Sequence, residues 1–118
     1  MAKVVIHLFH ADEDSLATGS HVAERVRQVA GGSGVDLEVY CFGPAQGALS
    51  DTSNDSTRVE YNRQIDELVA AGVSVGACLN AARAAGTETV LSGRGITLQY
   101  ARDAYVRFAL EGATVLNF

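Results

Sequence analysis

Apolar residues along this chain form short continuous runs, and between the runs they recur at the three- and four-residue spacing of a helix. The first run covers residues 3–9, begins with Lys3 and is otherwise interrupted only by His7. A run of this kind is typical of a strand covered on both faces, because neither face needs polar side chains. We therefore predict a central parallel strand there. Residues 73–78 and 114–118 are shorter runs that predict a third and a terminal strand.

Two strands have a less regular pattern. Residues 35–42 begin with apolar residues at alternate positions and end wholly apolar, which predicts a second strand nearer an edge of the sheet. The fourth strand lies either at residues 89–91 or at residues 96–99. We favour residues 96–99, which leaves residues 87–94 as a connection.

The first two connections between strands contain helical patterns. An acidic turn at residues 12–14 precedes the first helix, where negative charge favours a helix N-terminus. Residues 46–57 are rich in Ser, Thr, Asn and Asp and predict a mobile surface loop, either a lid over a site or an unstructured segment. Thr57 and Glu60 then have the spacing of a capping box, and the second helix ends near Gly72.

The last two connections are also helical. Residues 79–85 have high helix propensity and are followed by Gly86. The last helix carries an apolar face and ends before Gly112, which suits the position after a helix. That face is formed by Ala101, Ala104, Tyr105 and Phe108. Strands that alternate with crossover helices predict an α/β fold, a three-layer α/β/α sandwich around a mostly parallel five-stranded sheet.

Length and composition narrow the class of protein. The 118 residues, of which 47% are apolar, suffice for one domain, which we place at residues 1–118. Two cysteines, with no recognisable secretory signal at the start of the sequence, favour a reducing compartment, and we expect a cytoplasmic protein. No apolar run approaches the length of a membrane span. The formal net charge of −5, with scattered basic residues, argues against nucleic acid as a ligand.

The candidate chemistry lies where strands end. Ligands of open parallel sheets bind beyond the carboxyl ends of the strands, which brings His10, Cys41, Gly43, Cys78 and Asn80 to one rim. Cys78 is the main candidate, because a thiol where a strand gives way to a helix faces unpaired amides and a positive dipole that favour the thiolate. The alternative is that Cys78 packs as a small apolar residue. Gly43 and Asn80 are candidate ligand-binding residues.

The other cysteine and the histidines have weaker patterns. Cys41 lies between two aromatic residues and fits packing better, but next to Cys78 it would serve as a resolving thiol. His7, in mid-strand, fits a hydrogen-bonded core residue, whereas His10 is placed to assist a thiolate. His21 has no assigned role.

The sequence contains no motif for several kinds of binding site or catalysis. The cysteines and histidines lack the close spacings of a structural zinc site, so we expect no metal. A full dinucleotide fingerprint, a P-loop and a nucleophile-elbow serine are also missing, and we expect no cofactor. A flavodoxin-like flavin protein stays open as a weaker alternative.

With these pieces placed, the chain resembles the DsrE/DsrF-like family, the small sulfur-relay and YchN-like proteins of bacteria and archaea. The resemblance covers nearly the whole length and rests on the order and spacing of several segments. They are residues 3–8, residues 42–44, residues 68–73 leading into 77–80, and residues 111–112 before the terminal strand.

This resemblance implies a Rossmann-like α/β/α fold, assembly into homotrimers or homohexamers, and a fourth strand at residues 96–99. In active members a cysteine accepts sulfur as a persulfide and passes it on, and Cys78 matches that position. The leading hypothesis is therefore a sulfur carrier or sulfurtransferase that acts with donor and acceptor proteins and without a cofactor. The competing hypothesis is a non-enzymatic oligomeric protein that binds a small molecule or a partner while Cys78 only packs.

Overall fold

The computed structural model describes residues 2–118, which form one sheet flanked by helices. The strands are β1 (Ala2–Leu8), β2 (Val35–Cys41), β3 (Ser74–Cys78), β4 (Thr97–Gln99) and β5 (Thr114–Asn117). The helices are α1 (Glu13–Ala30), α2 (Gly43–Ala48), α3 (Ser56–Ala70), α4 (Leu79–Ala85), α5 (Glu88–Gly93) and α6 (Ala101–Leu110).

The strand order is β4-β3-β2-β1-β5, and every neighbouring pair is parallel. The α/β sandwich and the five-stranded sheet are thus confirmed, and the sheet is wholly parallel. Leu8 pairs with Cys41, and Cys41 pairs with Ala77, so the carboxyl ends of the three inner strands reach the same rim. β4 confirms the preferred fourth strand; residues 89–91 are helical instead.

The position of β2 corrects the sequence prediction, because β2 lies in the centre of the sheet and not near an edge. The alternating pattern that suggested an edge came from Asp36 and Glu38. Glu38 is buried, and its carboxylate binds Lys3 Nζ at 2.7 Å and Arg107 Nη2 at 2.7 Å. A polar residue in a central strand is tolerated here because both of its oxygens have cationic partners.

The two faces of the sheet are covered unequally. On one face a large apolar cluster joins the sheet to α1, α2, α3, α4 and α5. On the other face, the buried cluster joins the sheet to α6; it consists of Val5, Tyr40, Ala104 and Phe108. Successive strand residues point to opposite faces, so the odd-numbered residues of β2 from Leu37 to Cys41 belong to the large cluster and Tyr40 to the small one.

The loop predicted at residues 46–57 is too long at both ends, because its first and last residues are helical. Residues 46–48 belong to α2, and Gln46 and Leu49 are buried. The capping box is also wrong, because α3 begins at Ser56 and its cap is Asp55, whose carboxylate accepts a hydrogen bond from Arg58 N at 2.9 Å. The polar composition of this segment concealed the apolar residues that anchor its first part to the core.

The connection predicted at residues 87–94 is wrong as well, since it contains the short helix α5. Leu91 is fully buried in the large cluster and holds this turn against the sheet. Helix propensity is weak in this segment, and burial of one leucine outweighs it. Gly86 and Gly112, at φ 71° and 64°, confirm the predicted helix ends.

Candidate functional site

Cys78 is the last residue of β3 and the residue from which α4 begins. Its backbone is extended, and its side chain makes no capping hydrogen bond. Only 5% of its surface is exposed. That small exposed part opens into a cleft of about 580 Å³, lined by Phe42, Cys78, Asn80, Ala81, Tyr100, Ala101 and Arg102. Cys78 is therefore neither sealed in the core nor displayed on the surface.

Gln46 fixes the backbone at Cys78. Its Oε1 accepts a hydrogen bond from Cys78 N at 3.0 Å, and its Nε2 donates one to Cys78 O at 2.9 Å. Both groups are buried, so without this side chain two peptide groups would lose their partners. Gln46 thus sets the direction in which the chain leaves β3 and turns into α4.

The Cys78 thiol has no hydrogen-bond partner among residues 2–118, whereas the Cys41 sulfur accepts one from Tyr61 Oη at 3.5 Å. On the same side of the sheet as Cys78, the pKa of Tyr105 is raised by burial and then by the neighbouring Cys78 charge. The pKa of Tyr40 is raised well above its ordinary range, first by burial and then by the neighbouring Cys78 charge. The thiol therefore faces aromatic rings and open cleft.

The structure does not bring the two cysteines together. Cys41 pairs with Ala77 in the sheet, so Cys78, one residue further, points to the opposite face. Cys41 is fully buried in the large cluster. Burial raises the pKa of its thiol to about 11, and the hydrogen bond from Tyr61 offsets only part of that rise. Its surroundings are those of a packed residue.

Of the two predicted ligand-binding residues, one lines the Cys78 cleft and the other lines a neighbouring cleft. Asn80 lines it, in the first turn of α4. Gly43 lines a smaller neighbouring cleft of about 220 Å³, which shares Ala81 with the first. A side chain at Gly43 is excluded, because a Cβ would lie 2.4 Å from the Phe9 ring and the residue has φ 57°.

The histidines lie outside the Cys78 cleft. His10 is exposed, packs edge-to-face on Phe9 at 5.1 Å between ring centroids, and is not among the residues that line the cleft. His7 is a hydrogen-bonded core residue, as predicted. Its Nδ1 lies 2.6 Å from Asn117 Oδ1 and its Nε2 2.8 Å from Tyr105 Oη. Because Asn117 Oδ1 accepts, Nδ1 carries the proton and Nε2 accepts from Tyr105.

Sequence reasoning missed three residues of the site. Tyr100 and Arg102 follow β4 at its carboxyl end, so the rule that placed Cys78 at the rim also applies to them. The Arg102 guanidinium lies over the Tyr100 ring, 5.1 Å from its centroid. Gln46 gave no signal, because it lay in a polar segment and its partners are backbone groups 32 positions away.

A second concavity of about 490 Å³ lies on the same face of the sheet, between α6 and β5. His7, Tyr105 and Asn117 supply its polar groups, and the remaining lining residues are Phe108, Ala109, Ala113 and Val115. Tyr105 packs on Phe42 with ring centroids 6.3 Å apart, and Phe42 lines the Cys78 cleft. These two rings separate the two concavities.

Across residues 2–118, no three His, Cys, Asp or Glu side chains are grouped as a metal site would need. In that same part of the chain, every helix is too short or too polar to cross a membrane.

Fold and site together define an all-parallel α/β protein with a recessed thiol at the carboxyl rim of its sheet. Among solved structures, the YchN protein of E. coli is similar, with a TM-score of 0.79, 21% identity and 100% of both chains covered. A conserved protein of unknown function from Bacteroides thetaiotaomicron has a TM-score of 0.74 and 16% identity, with 98% of this chain and 94% of that chain covered.

A protein of unknown function from Methanobacterium thermoautotrophicum is also similar, with a TM-score of 0.67, 24% identity and 100% of both chains covered. These similarities concern the fold. No protein-family model matches the sequence. No curated protein matches it either.

Proposed function

We propose that this chain is a DsrE/DsrF-like sulfur carrier in which Cys78 holds sulfane sulfur as a persulfide. The observation that carries the proposal is the setting of Cys78, a thiol that is 5% exposed, has no hydrogen-bond partner among residues 2–118 and opens into a cleft. The YchN-like fold and the sequence resemblance support the same assignment. No cofactor is required.

The reaction needs only thiol exchange. The Cys78 thiolate attacks the terminal sulfur of a donor persulfide R–S–SH, a bond forms between the two sulfurs, and the donor leaves as the thiolate R–S⁻. Cys78 then carries –S–SH, and an acceptor thiolate removes the outer sulfur by the same step in reverse. The recess shields the persulfide from most of the solvent, and the cleft gives a reactant access to it.

We propose that this reaction uses neither Cys41 nor His10. Cys41 faces the opposite side of the sheet, and His10 does not line the cleft. Since the carrier needs reduced thiols, we place it in the cytoplasm, where a persulfide donor supplies the sulfur and an acceptor protein removes it.

The test is to incubate the protein with a persulfide donor and to measure its intact mass. The wild type and the Cys41→Ala variant should each gain the mass of one sulfur atom, which dithiothreitol removes. Cys78→Ala should gain none. Failure of the wild type to gain sulfur, or a gain that persists in Cys78→Ala, contradicts the proposal.

The second candidate is a homo-oligomeric binding protein without transfer activity, in which a further copy of the chain covers α6 and β5. The observation that favours it is the concentration of exposed large apolar residues on these two elements, next to the second concavity. They are Tyr105, Val106, Leu110 and Val115 on the α6 face, and Leu116 at the edge of the opposite face. Such an apolar patch is typical of an interaction surface.

Light scattering tests the association, which we propose to give trimers or hexamers. Leu110 is 84% exposed, and Leu110→Lys should dissociate the oligomer. Val29 on α1 is 65% exposed, so Val29→Lys adds the same charge elsewhere and should leave the mass unchanged. A monomeric wild type contradicts this candidate, and an oligomer that loads Cys78 with sulfur is a sulfur carrier instead.

A further inference from the structure

The charge distribution in the Cys78 cleft is one-sided. Within residues 2–118, the cleft is lined by a single charged side chain, that of Arg102. No carboxylate from this part of the chain lines the cleft. Asp103 lies next to it in sequence and meets Arg102 Nε at 3.4 Å, but both side chains are largely exposed, so this ion pair is weak. Water screens it and leaves the guanidinium available to a ligand.

The first turn of α6 adds to this charge. α6 has no side-chain cap, and Tyr100 O accepts from the amides of Asp103 at 3.0 Å and Ala104 at 2.9 Å. The amides of Ala101 and Arg102 have no hydrogen-bond acceptor among residues 2–118, and both residues line the cleft. Unpaired amides at the start of a helix carry partial positive charge and attract anions.

Other charged groups near the cleft are balanced. Arg83 Nη1 donates to Tyr100 Oη at 3.3 Å, and Arg83 Nε also meets Glu88 at 3.3 Å. This pair meets the Tyr100 hydroxyl and adds little net charge. The Cys78 thiol, nine-tenths buried and unpartnered, opens into the same cleft as Arg102 and the free amides. The cleft thus combines a thiol with positive charge from Arg102 and from the first turn of α6.

We infer that this cleft binds a small anion, and that the donor which loads Cys78 is a small sulfur compound with a negative group placed against Arg102 and the first turn of α6. The part about the donor rests on the proposed sulfur-carrier function, while the anion site does not. The donor's charged group is not consumed. It orients the sulfane sulfur toward Cys78 and leaves with the donor thiolate.

The anion site can be tested without any sulfur transfer. Iodoacetate and iodoacetamide alkylate thiols by the same displacement, but iodoacetate is negatively charged and iodoacetamide is neutral. The ratio of their rate constants at Cys78 therefore measures attraction of an anion to the cleft, and intact mass with peptide mapping confirms that Cys78 is the residue modified.

Arg102→Gln should lower that ratio about fivefold, the change expected for an interaction of roughly 1 kcal/mol between charges 4 Å apart in water. Arg25→Gln is the matched control, since Arg25 is exposed on α1 and its loss changes the net charge equally. It should leave the ratio unchanged. High salt should lower the wild-type ratio toward that of Arg102→Gln. An equal ratio in all three proteins overturns the inference.

A pair of donors tests the second part. The persulfide of N-acetylcysteine carries a carboxylate, and the persulfide of its amide is neutral. The charged donor should load wild-type Cys78 about fivefold faster, and Arg102→Gln should remove the difference. If both donors load Cys78 equally, the anionic donor is overturned while the sulfur carrier stands. If alkylation is charge-selective but neither donor loads Cys78, the sulfur carrier fails and the anion site stands.

Discussion

Gln46 binds both peptide groups of Cys78, at 3.0 Å to the amide and 2.9 Å to the carbonyl oxygen. The two residues are 32 positions apart and belong to different helical connections of the sheet. A single buried amide side chain thus connects α2 to the point where β3 becomes α4. This contact determines where the Cys78 thiol lies.

Replacing Gln46 should therefore weaken both stability and the site. Gln46→Ala removes one hydrogen-bond partner from each of two buried peptide groups and should lower the free energy of unfolding by about 2–3 kcal/mol in urea denaturation. Cys78 should also be alkylated faster by iodoacetamide, because its backbone is released. Gln28→Ala, an exposed glutamine on α1, should change stability by less than about 0.5 kcal/mol. Equal effects of the two substitutions would show that the contact is unimportant.

The two thiols should differ strongly in reactivity in the native protein. Cys41 is fully buried, and its pKa near 11 leaves roughly one thiolate in a thousand at pH 8. Titration with a thiol reagent should detect one accessible cysteine before unfolding and two after it. Cys78→Ala should remove the first and Cys41→Ala should not. Rapid modification of Cys41 in the folded protein would contradict its placement.

Glu38 should make the protein sensitive to acid. Burial favours a raised pKa, but the hydrogen bonds and charges of Arg107 and Lys3 outweigh it and hold the pKa of Glu38 below its ordinary value. A lowered pKa adds stability that is present above the unfolded pKa of about 4.3 and is lost as pH falls through the folded value. Unfolding free energy should therefore decrease below pH ~4.3.

Glu38→Gln should flatten this decrease and reduce stability at pH 7 by ~1–3 kcal/mol, because Lys3 and Arg107 lose the charged hydrogen-bond partner that they share. Asp36→Asn, on the same strand but exposed, is the control and should leave the acid dependence of unfolding intact. Denaturation curves between pH 3 and pH 7 measure both. The same acid dependence in Glu38→Gln and the wild type would rule out this carboxylate as the cause.

A side chain at Gly76 should be destabilising, because a Cβ there would lie 3.0 Å from Tyr40 Cδ1 and 3.3 Å from Thr97 O. Tyr40 is held in place by its hydrogen bond to Gln99 O at 2.8 Å. Gly76→Ala should cost about 1–3 kcal/mol through overpacking. Gly93→Ala, which meets no atom within 4 Å, should be neutral or slightly stabilising in the same thermal denaturation experiment. A neutral Gly76→Ala would indicate that Tyr40 moves freely.

Much of the fold could be predicted because it depends on local patterns. The continuous apolar run at β1 and the helical spacing along α1 and α6 each reflect one environment, a covered strand or a helix with one buried face. Predictions failed where a residue's environment depends on distant partners. Glu38 is buried because Lys3 and Arg107 reach it, and α5 forms because Leu91 enters the core.

The sequence by itself determined the order of the five strands and of the helices α1, α3, α4 and α6 along the chain, the α/β class and the place of Cys78 at the end of a strand. These follow from side-chain periodicity and from the turn residues between elements. The tertiary structure alone decided that Cys41 and Cys78 face opposite sides of the sheet, that Gln46 fixes Cys78, and that Arg102 and the first turn of α6 share its cleft. Such relationships arise from register and from packing between distant segments, which no local pattern encodes.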